Sequence, residues 1–234
     1  MIAANASKYR LLIGERYKPR LAPGLDALDM EVVWLPDNPD IDTRLAGHAD
    51  LSAAIPVPAT IVAARGVYPC LVNKLTNDGC RVIAAAQQEA VYPGMAGLCI
   101  CVVGQYTIYN KKTVDPVLAG FLSGTHIQVT QGFTGCSICV VSDEAIITAD
   151  DVIARRASLA GLDVLHIAPG MIELDGFDAG FIGGASFLID DETLAFTGVL
   201  DGHSDKDKIM GFLAKHGVKP VFLTKDPIFD VGGA

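Results

Sequence analysis

A mixed α/β fold built from five successive ββαβ units is what this sequence predicts, and two observations carry the prediction. The segments LCICVVGQYTIYN from Leu98 and CSICVVSDEAIIT from Cys136 align without a gap, 38 residues apart, which marks a repeated structural unit. Within each, two apolar runs flank a short polar break, the pattern of two strands around a tight turn, and a helix and a third strand follow.

The later copy is the most legible. Asp150 and Asp151 supply an N-cap and a charge suited to the helix dipole, the helix runs through VIARRASLA, Gly161 stands where a C-cap belongs, and DVLHIA closes the unit. The same order recurs at GASFLIDDETLAFTG. There Ser204 and Asp207 resemble a capping box, Ile209, Phe212 and Leu213 form a buried stripe, and Gly217 precedes the closing VKPVFLT. Upstream, ADLSAAIPVPATIVAA holds two apolar runs broken by Pro56-Val57-Pro58, followed by helix-compatible YPCLVNKLTND and by CRVIAAA. The first copy is the loosest: YRLLIGE, an irregular Pro-rich middle, a short LDALD turn and EVVWLP. The units fall at roughly 8–36, 46–92, 96–131, 134–169 and 180–225. With no linker or shift of composition between them, residues 1–234 are expected to form a single domain.

A composition that is 50% hydrophobic over 234 residues is ample for a core. The formal charge of −9 disfavours nucleic acid and anionic membranes, which require concentrated Lys and Arg, and leaves a small-molecule substrate or ligand, or a protein partner, as the expectation. No apolar run approaches a membrane span, and MIAANASKYRLLIG lacks the pattern of a secretory leader, so the expected location is cytoplasmic. Six cysteines are too sparse for a disulfide framework and are expected as thiols. The sequence calls for no cofactor and leaves the oligomeric state open.

Five consecutive ββαβ units are the arrangement of the pentein, or guanidino-modifying-enzyme, fold. The stretches GHADLS, GFTGCSICVV, GLDVLHIAPGMIELDGFDAGFIGGAS and the terminal PIFDVGG also resemble an uncharacterised bacterial family assigned that fold. The resemblance implies a closed, five-fold pseudosymmetric α/β propeller with the helices outside. It also implies a catalytic Cys, a His and acidic residues acting on a guanidinium carbon through a covalent thiouronium intermediate. The pentein enzymes resemble one another in carrying the Cys at the head of the last unit; this chain has GFIGGASFLID there, and no Cys follows Cys139.

In such a ring the first strands lie nearest the axis. Counting back six residues from each turn brings Asp50, Leu98, Cys136 and Gly184 to equivalent positions, and in an extended segment His48 faces the same way as Asp50. Cys136 is therefore the candidate nucleophile and His48 the general acid or base, with Asp50 orienting His48 or holding a cation. The bland alternative for Cys136 is a small buried hydrophobe. Gly183, Gly184 and Ser186 in GFIGGAS let backbone N–H groups approach a ligand. Glu173, in an acidic loop with Asp175 and Asp178, suits a cationic substrate, and His203 stands near the mouth of the ring.

No metal site is assigned. Cys136 and Cys139 form a C-x-x-C that a strand would point to opposite sides, and Cys99 and Cys101 share one face without a partner at useful spacing. Cys101 and Cys139 are expected in equivalent, dry positions of two first strands. The leading function is a pentein-type hydrolase or amidino-transfer enzyme acting on a small guanidino or amide-like compound. The alternative is a pentein-fold binding protein for a metabolite or protein partner, without catalysis.

Overall fold

The computed structural model describes the backbone of residues 2–4 and 8–233 and the side chains of residues 10–233. Part of the stretch read above for a leader lies outside these residues. Five three-stranded sheets follow one another along the chain. They are β1 (Ile2–Ala4), β2 (Lys8–Gly14) and β3 (Glu31–Leu35); β4 (Ala53–Val57), β5 (Thr60–Ala63) and β6 (Arg81–Ala84); and β7 (Cys101–Val103), β8 (Tyr106–Tyr109) and β9 (Thr125–Gln128). The last two are β10 (Ile138–Ser142), β11 (Ala145–Thr148) and β12 (Asp163–His166), and β13 (Ser186–Asp190), β14 (Thr193–Phe196) and β15 (Lys219–Phe222).

In every sheet the first two strands pair antiparallel and the last two parallel. A parallel pair needs a crossover, and the helices supply it: α1 (Lys18–Ala27), α3 (Tyr68–Leu75), α4 (Pro116–Ala119), α6 (Asp151–Leu159) and α7 (Lys206–Lys215). The repeat extends to detail, since β4, β10 and β13 each lose register just before the turn into the next strand. The middle strands are the driest. All four residues of β11 are buried, and β5 is buried at Ile61, Val62 and Ala63. Such strands read as unbroken apolar runs because both faces are covered, and each fully buried Ile contributes about 1.5–3 kcal/mol.

The expected caps of the fourth unit are present. The Asp150 carboxylate accepts from the N–H groups of Val152 and Ile153, and Gly161 adopts φ +101°. Three expectations need correction. The Pro-rich middle of the first unit is the helix α1 rather than irregular chain: Pro19 sits in its first turn, where an N–H is dispensable, and Leu21 and Leu25 anchor the helix to the core despite Pro23. YRLLIGE falls in the second strand of its sheet, because β1 precedes it. In the fifth unit Ser204 and Asp207 build no capping box. The helix begins at Lys206 after Asp205, whose carboxylate instead accepts from the Ala168 N–H (2.7 Å) and pairs with Lys208 (2.6 Å). The stripe of Ile209, Phe212 and Leu213 is buried as expected.

A cavity of about 340 Å³ lies where the units meet. The leading segments and first strands of units two to five border it, from Asp50, Leu98, Gly135 and Gly183 onward, and Leu12 of β2 represents the first unit. Among the described residues no helix is long and apolar enough to cross a membrane.

Candidate active site

The residues before the first strands are not extended. Ala49–Ser52 and Thr134–Ser137 each form one helical turn, α2 and α5, before β4 and β10. Thr134 and Ser137 hold the second turn by donating their hydroxyls to the carbonyls of Gln131 and Phe133, both at 2.7 Å. In such a turn His48, the N-cap of α2, and Asp50, inside it, no longer share a face. The two reach Cys136 from different sides.

Asp50 Oδ2 accepts hydrogen bonds from two thiols, Cys136 at 2.7 Å and Cys99 at 2.8 Å. The Cys99 sulfur also accepts from the Gly135 N–H at 3.2 Å. On the other side Cys136, His48 and Asp230 offer ligand-type atoms that lie within 4.8 Å of one another. The closest approach of the last two is His48 Nδ1 to Asp230 Oδ1 at 3.8 Å. Asp230 is fixed by accepting from the N–H groups of Phe181 (2.8 Å) and Gly232 (2.9 Å). These three residues border a second cavity, about 160 Å³, whose remaining walls are apolar and include Phe133, Phe177 and Phe181.

Desolvation governs the electrostatics. Burial lowers the His48 pKa to about 4, with the charge of Arg16 adding to the effect, and raises Asp230 to about 7. Burial likewise raises Asp50 against the hydrogen bonds from both thiols. Cys136 is pushed well above its ordinary value by its hydrogen bond with Cys99 and by burial, and burial takes Cys99 up to about 11. Both thiols are therefore protonated at neutral pH. Among the described residues no Lys or Arg hydrogen-bonds or ion-pairs with Asp50 or Asp230. His48 Nε2 and Asp50 Oδ1 are cut off from solvent and have no hydrogen-bond partner.

The remaining sequence candidates divide. Gly183 and Gly184 stand at the centre through their backbones: a Cβ on Gly183 would collide with the Ile138 carbonyl, one on Gly184 with the Asp230 carboxylate, and the Gly184 N–H donates to the Cys136 carbonyl at 2.9 Å. Ser186 borders the larger cavity, but its hydroxyl is spent on the Ile182 carbonyl (2.7 Å). Glu173 turns outward toward Arg20, with a 3.8 Å ion pair, and only its backbone serves the site by accepting from the Asp230 N–H. His203 is buried beside Asp205, whose N–H it accepts, and neither it nor Glu173 borders the cavity of Cys136.

Sequence reasoning missed two residues. Cys99 was read as sharing a face with Cys101, yet it is Cys99 rather than its neighbour Leu98 that brings the third unit's polar group to Asp50. For Asp230 the sequence does carry a signal, a single acid inside the apolar tail segment IFDVGG. Cys101 and Cys139 are buried and free, within apolar clusters.

Five successive three-stranded sheets, each with an antiparallel pair, a helical crossover and a parallel closing strand, make the pentein fold. Solved structures agree on the fold. Dimethylarginine dimethylaminohydrolase, as an adduct with S-methyl-L-thiocitrulline, superposes with a TM-score of 0.58 at 11% identity, covering 92% of each chain. An amidinotransferase of the saxitoxin biosynthetic pathway of Microseira wollei gives 0.54 at 11% identity, over 98% of this chain and 96% of that one. The inosamine-phosphate amidinotransferase of Streptomyces griseus gives 0.53 at 14% identity, over 92% of this chain and 75% of that one. Residues 12–234 match a family of unknown function, DUF6873, and the chain belongs to it. No curated protein matches the chain.

Proposed function

We propose that this pentein is a guanidino-modifying enzyme, a hydrolase or amidino-transfer catalyst for a small cationic guanidino or related amide-like compound, with Cys136 as nucleophile. The observation that carries this reading is that Cys136, His48 and Asp230 face one small cavity while both nearby carboxyl groups, Asp50 and Asp230, lack a cationic partner. An unpaired buried carboxyl group favours binding of a cation, and a guanidinium entering here would ionise Asp50 and Asp230 by its own charge. Glu173, Ser186 and His203 hold no direct substrate contact in this reading; Gly183 and Gly184 keep the site open by lacking side chains.

The chemistry balances with the groups present. The Cys136 proton moves to Asp50 Oδ2, the atom it already faces, and the sulfur attacks the amidino carbon. The bond from that carbon to the leaving nitrogen breaks as that nitrogen takes up the displaced proton, leaving a thiouronium on sulfur. His48, neutral at pH 7, then removes a proton from water or from an acceptor amine, which attacks the same carbon; as the C–S bond breaks, the sulfur takes that proton back from His48 and the thiol is restored.

The test is an acid quench of the chelator-treated, reduced protein with a panel of guanidino compounds, followed by mass analysis of the Cys136 peptide and measurement of released amine. Wild type should carry the amidino adduct and turn over, and Cys136→Ser should do neither. Turnover that survives Cys136→Ser would sink the reading. So would the absence of both adduct and product across the panel. One observation favours the non-catalytic alternative: the thiol rests protonated and buried. In that case wild type and Cys136→Ser bind the same guanidino compound with similar affinity, and no product forms.

A further inference from the structure

The polar cluster on the Asp50 side contains more than nucleophilic chemistry needs. Two thiols from different units converge on one carboxylate oxygen, at 2.7 and 2.8 Å, and the three donor atoms lie within 4.8 Å of one another. We propose that Cys99, Cys136 and Asp50 form a binding site for one thiophilic divalent cation of the zinc class, with both sulfurs bound as thiolates and the fourth position open to the adjoining cavities.

Several independent features point to such an occupant. Asp50 Oδ1, on the carboxylate that both thiols face, is shut off from solvent without a partner. A buried polar atom left unpaired costs about 1–3 kcal/mol, and a cation bound at the Asp50 carboxylate offsets that cost. The spacing is close to what a metal demands. Bond lengths of about 2.3 Å to sulfur and about 2.0 Å to oxygen place tetrahedral donors roughly 3.5–3.8 Å apart, so the donors need to part by less than about 1 Å. The Gly135 N–H already points at the Cys99 sulfur, the kind of outer hydrogen bond that steadies a metal-bound thiolate. Gly135 also packs tightly enough that a Cβ there would lie 2.9 Å from the Ile100 carbonyl, which keeps the two cysteine-bearing segments in register. Access exists from both sides, because Asp50 borders the larger cavity and Cys136 the smaller. Binding displaces one proton from each thiol, so one cation enters as two protons leave. The donors are soft sulfur with one oxygen, which disfavours magnesium and calcium.

The inference does not rest on the amidino reading. A bound cation occupies Cys136 and withdraws it from nucleophilic use, but the site is detected without any substrate. Chelator-treated, reduced full-length protein is titrated with Co²⁺ under anaerobic conditions. A thiolate-to-cobalt charge-transfer band should saturate at one equivalent and be displaced by Zn²⁺. Cys99→Ser should halve the band per bound cobalt and weaken binding by about 100-fold or more, while Cys101→Ser and Cys139→Ser leave it unchanged. As a check independent of any variant's folding, Zn²⁺ should protect Cys99 and Cys136 of the wild type from alkylation while Cys70 still reacts. No band, a band insensitive to both Cys99→Ser and Cys136→Ser, or a Cys99–Cys136 disulfide in protein that takes up no cobalt overturns the proposal. None of these outcomes touches the adduct experiment.

Discussion

Two pairs of thiols in the third and fourth units share one residue type and live in opposite environments. Cys101 and Cys139 sit in β7 and β10 within apolar clusters, Cys139 with the Ser186 hydroxyl beside it, and desolvation is the first cause holding each thiol at about 12. Cys99 and Cys136, two and three residues upstream in the chain, meet the Asp50 carboxylate and each other, and hydrogen bonding joins burial in setting their state. The outer pair is buried in its sheets, and the inner pair shares a hydrogen-bond acceptor at Asp50. What separates them is whether the chain has yet entered its sheet: Cys99 and Cys136 precede β7 and β10, and Cys101 and Cys139 lie in them.

The largest effect tests the electrostatics of the inner region. Asp230 has its folded pKa, about 7, above the unfolded 3.8, so its contribution to stability is complete below about pH 4 and lost as pH rises through 7. His48 has its folded pKa, about 4, below the unfolded 6.5, so its contribution is present above about 6.5 and lost as pH falls through 4. Each spans up to about 4 kcal/mol, and in the wild type the two slopes oppose one another. Denaturant titrations should show Asp230→Asn gaining stability relative to wild type from pH 4 to 7, and His48→Gln losing it from pH 4 to 6.5. Parallel curves for all three proteins would break the assignment.

Next in size is Gly183→Ala, which drives a Cβ into the Ile138 and Cys136 carbonyls. Backbone cannot yield as a side chain does, so a loss of about 3 kcal/mol in urea unfolding is expected. Gly120→Ala, where the nearest backbone atom is 3.4 Å from a built Cβ, is the matched control and should cost less than about 1 kcal/mol.

The smallest effects compare the thiol pairs directly. Cys101→Ser places a hydroxyl in an apolar cluster and should cost about 2 kcal/mol. Cys99→Ser leaves a hydroxyl able to donate to Asp50 and should cost less than about 1 kcal/mol. Equal losses would mean that the inner pair is packing as well.

Much of the fold was legible because its signals are local. The ungapped match of residues 98–110 to 136–148, the Asp150 cap and the buried stripe of α7 each depend on a few neighbouring residues, and the five sheets follow that grammar. The failures were local as well: α1 forms through two prolines because Leu21 and Leu25 have a core to enter, which propensity does not see.

By itself, the sequence determined the unit order and the placing of His48, Asp50 and Cys136 near a common centre. It did so through periodicity, which records which residues must leave water. Only the tertiary structure decided the partners. Asp50 meets thiols 49 and 86 residues away, and His48 meets Asp230 rather than Asp50. A single helical turn in α2 and α5 redirects those side chains, and it is Cys99, one residue past Leu98, that reaches Asp50. Contacts between units are set by how whole sheets pack, and the pattern of any one segment carries no measure of that distance.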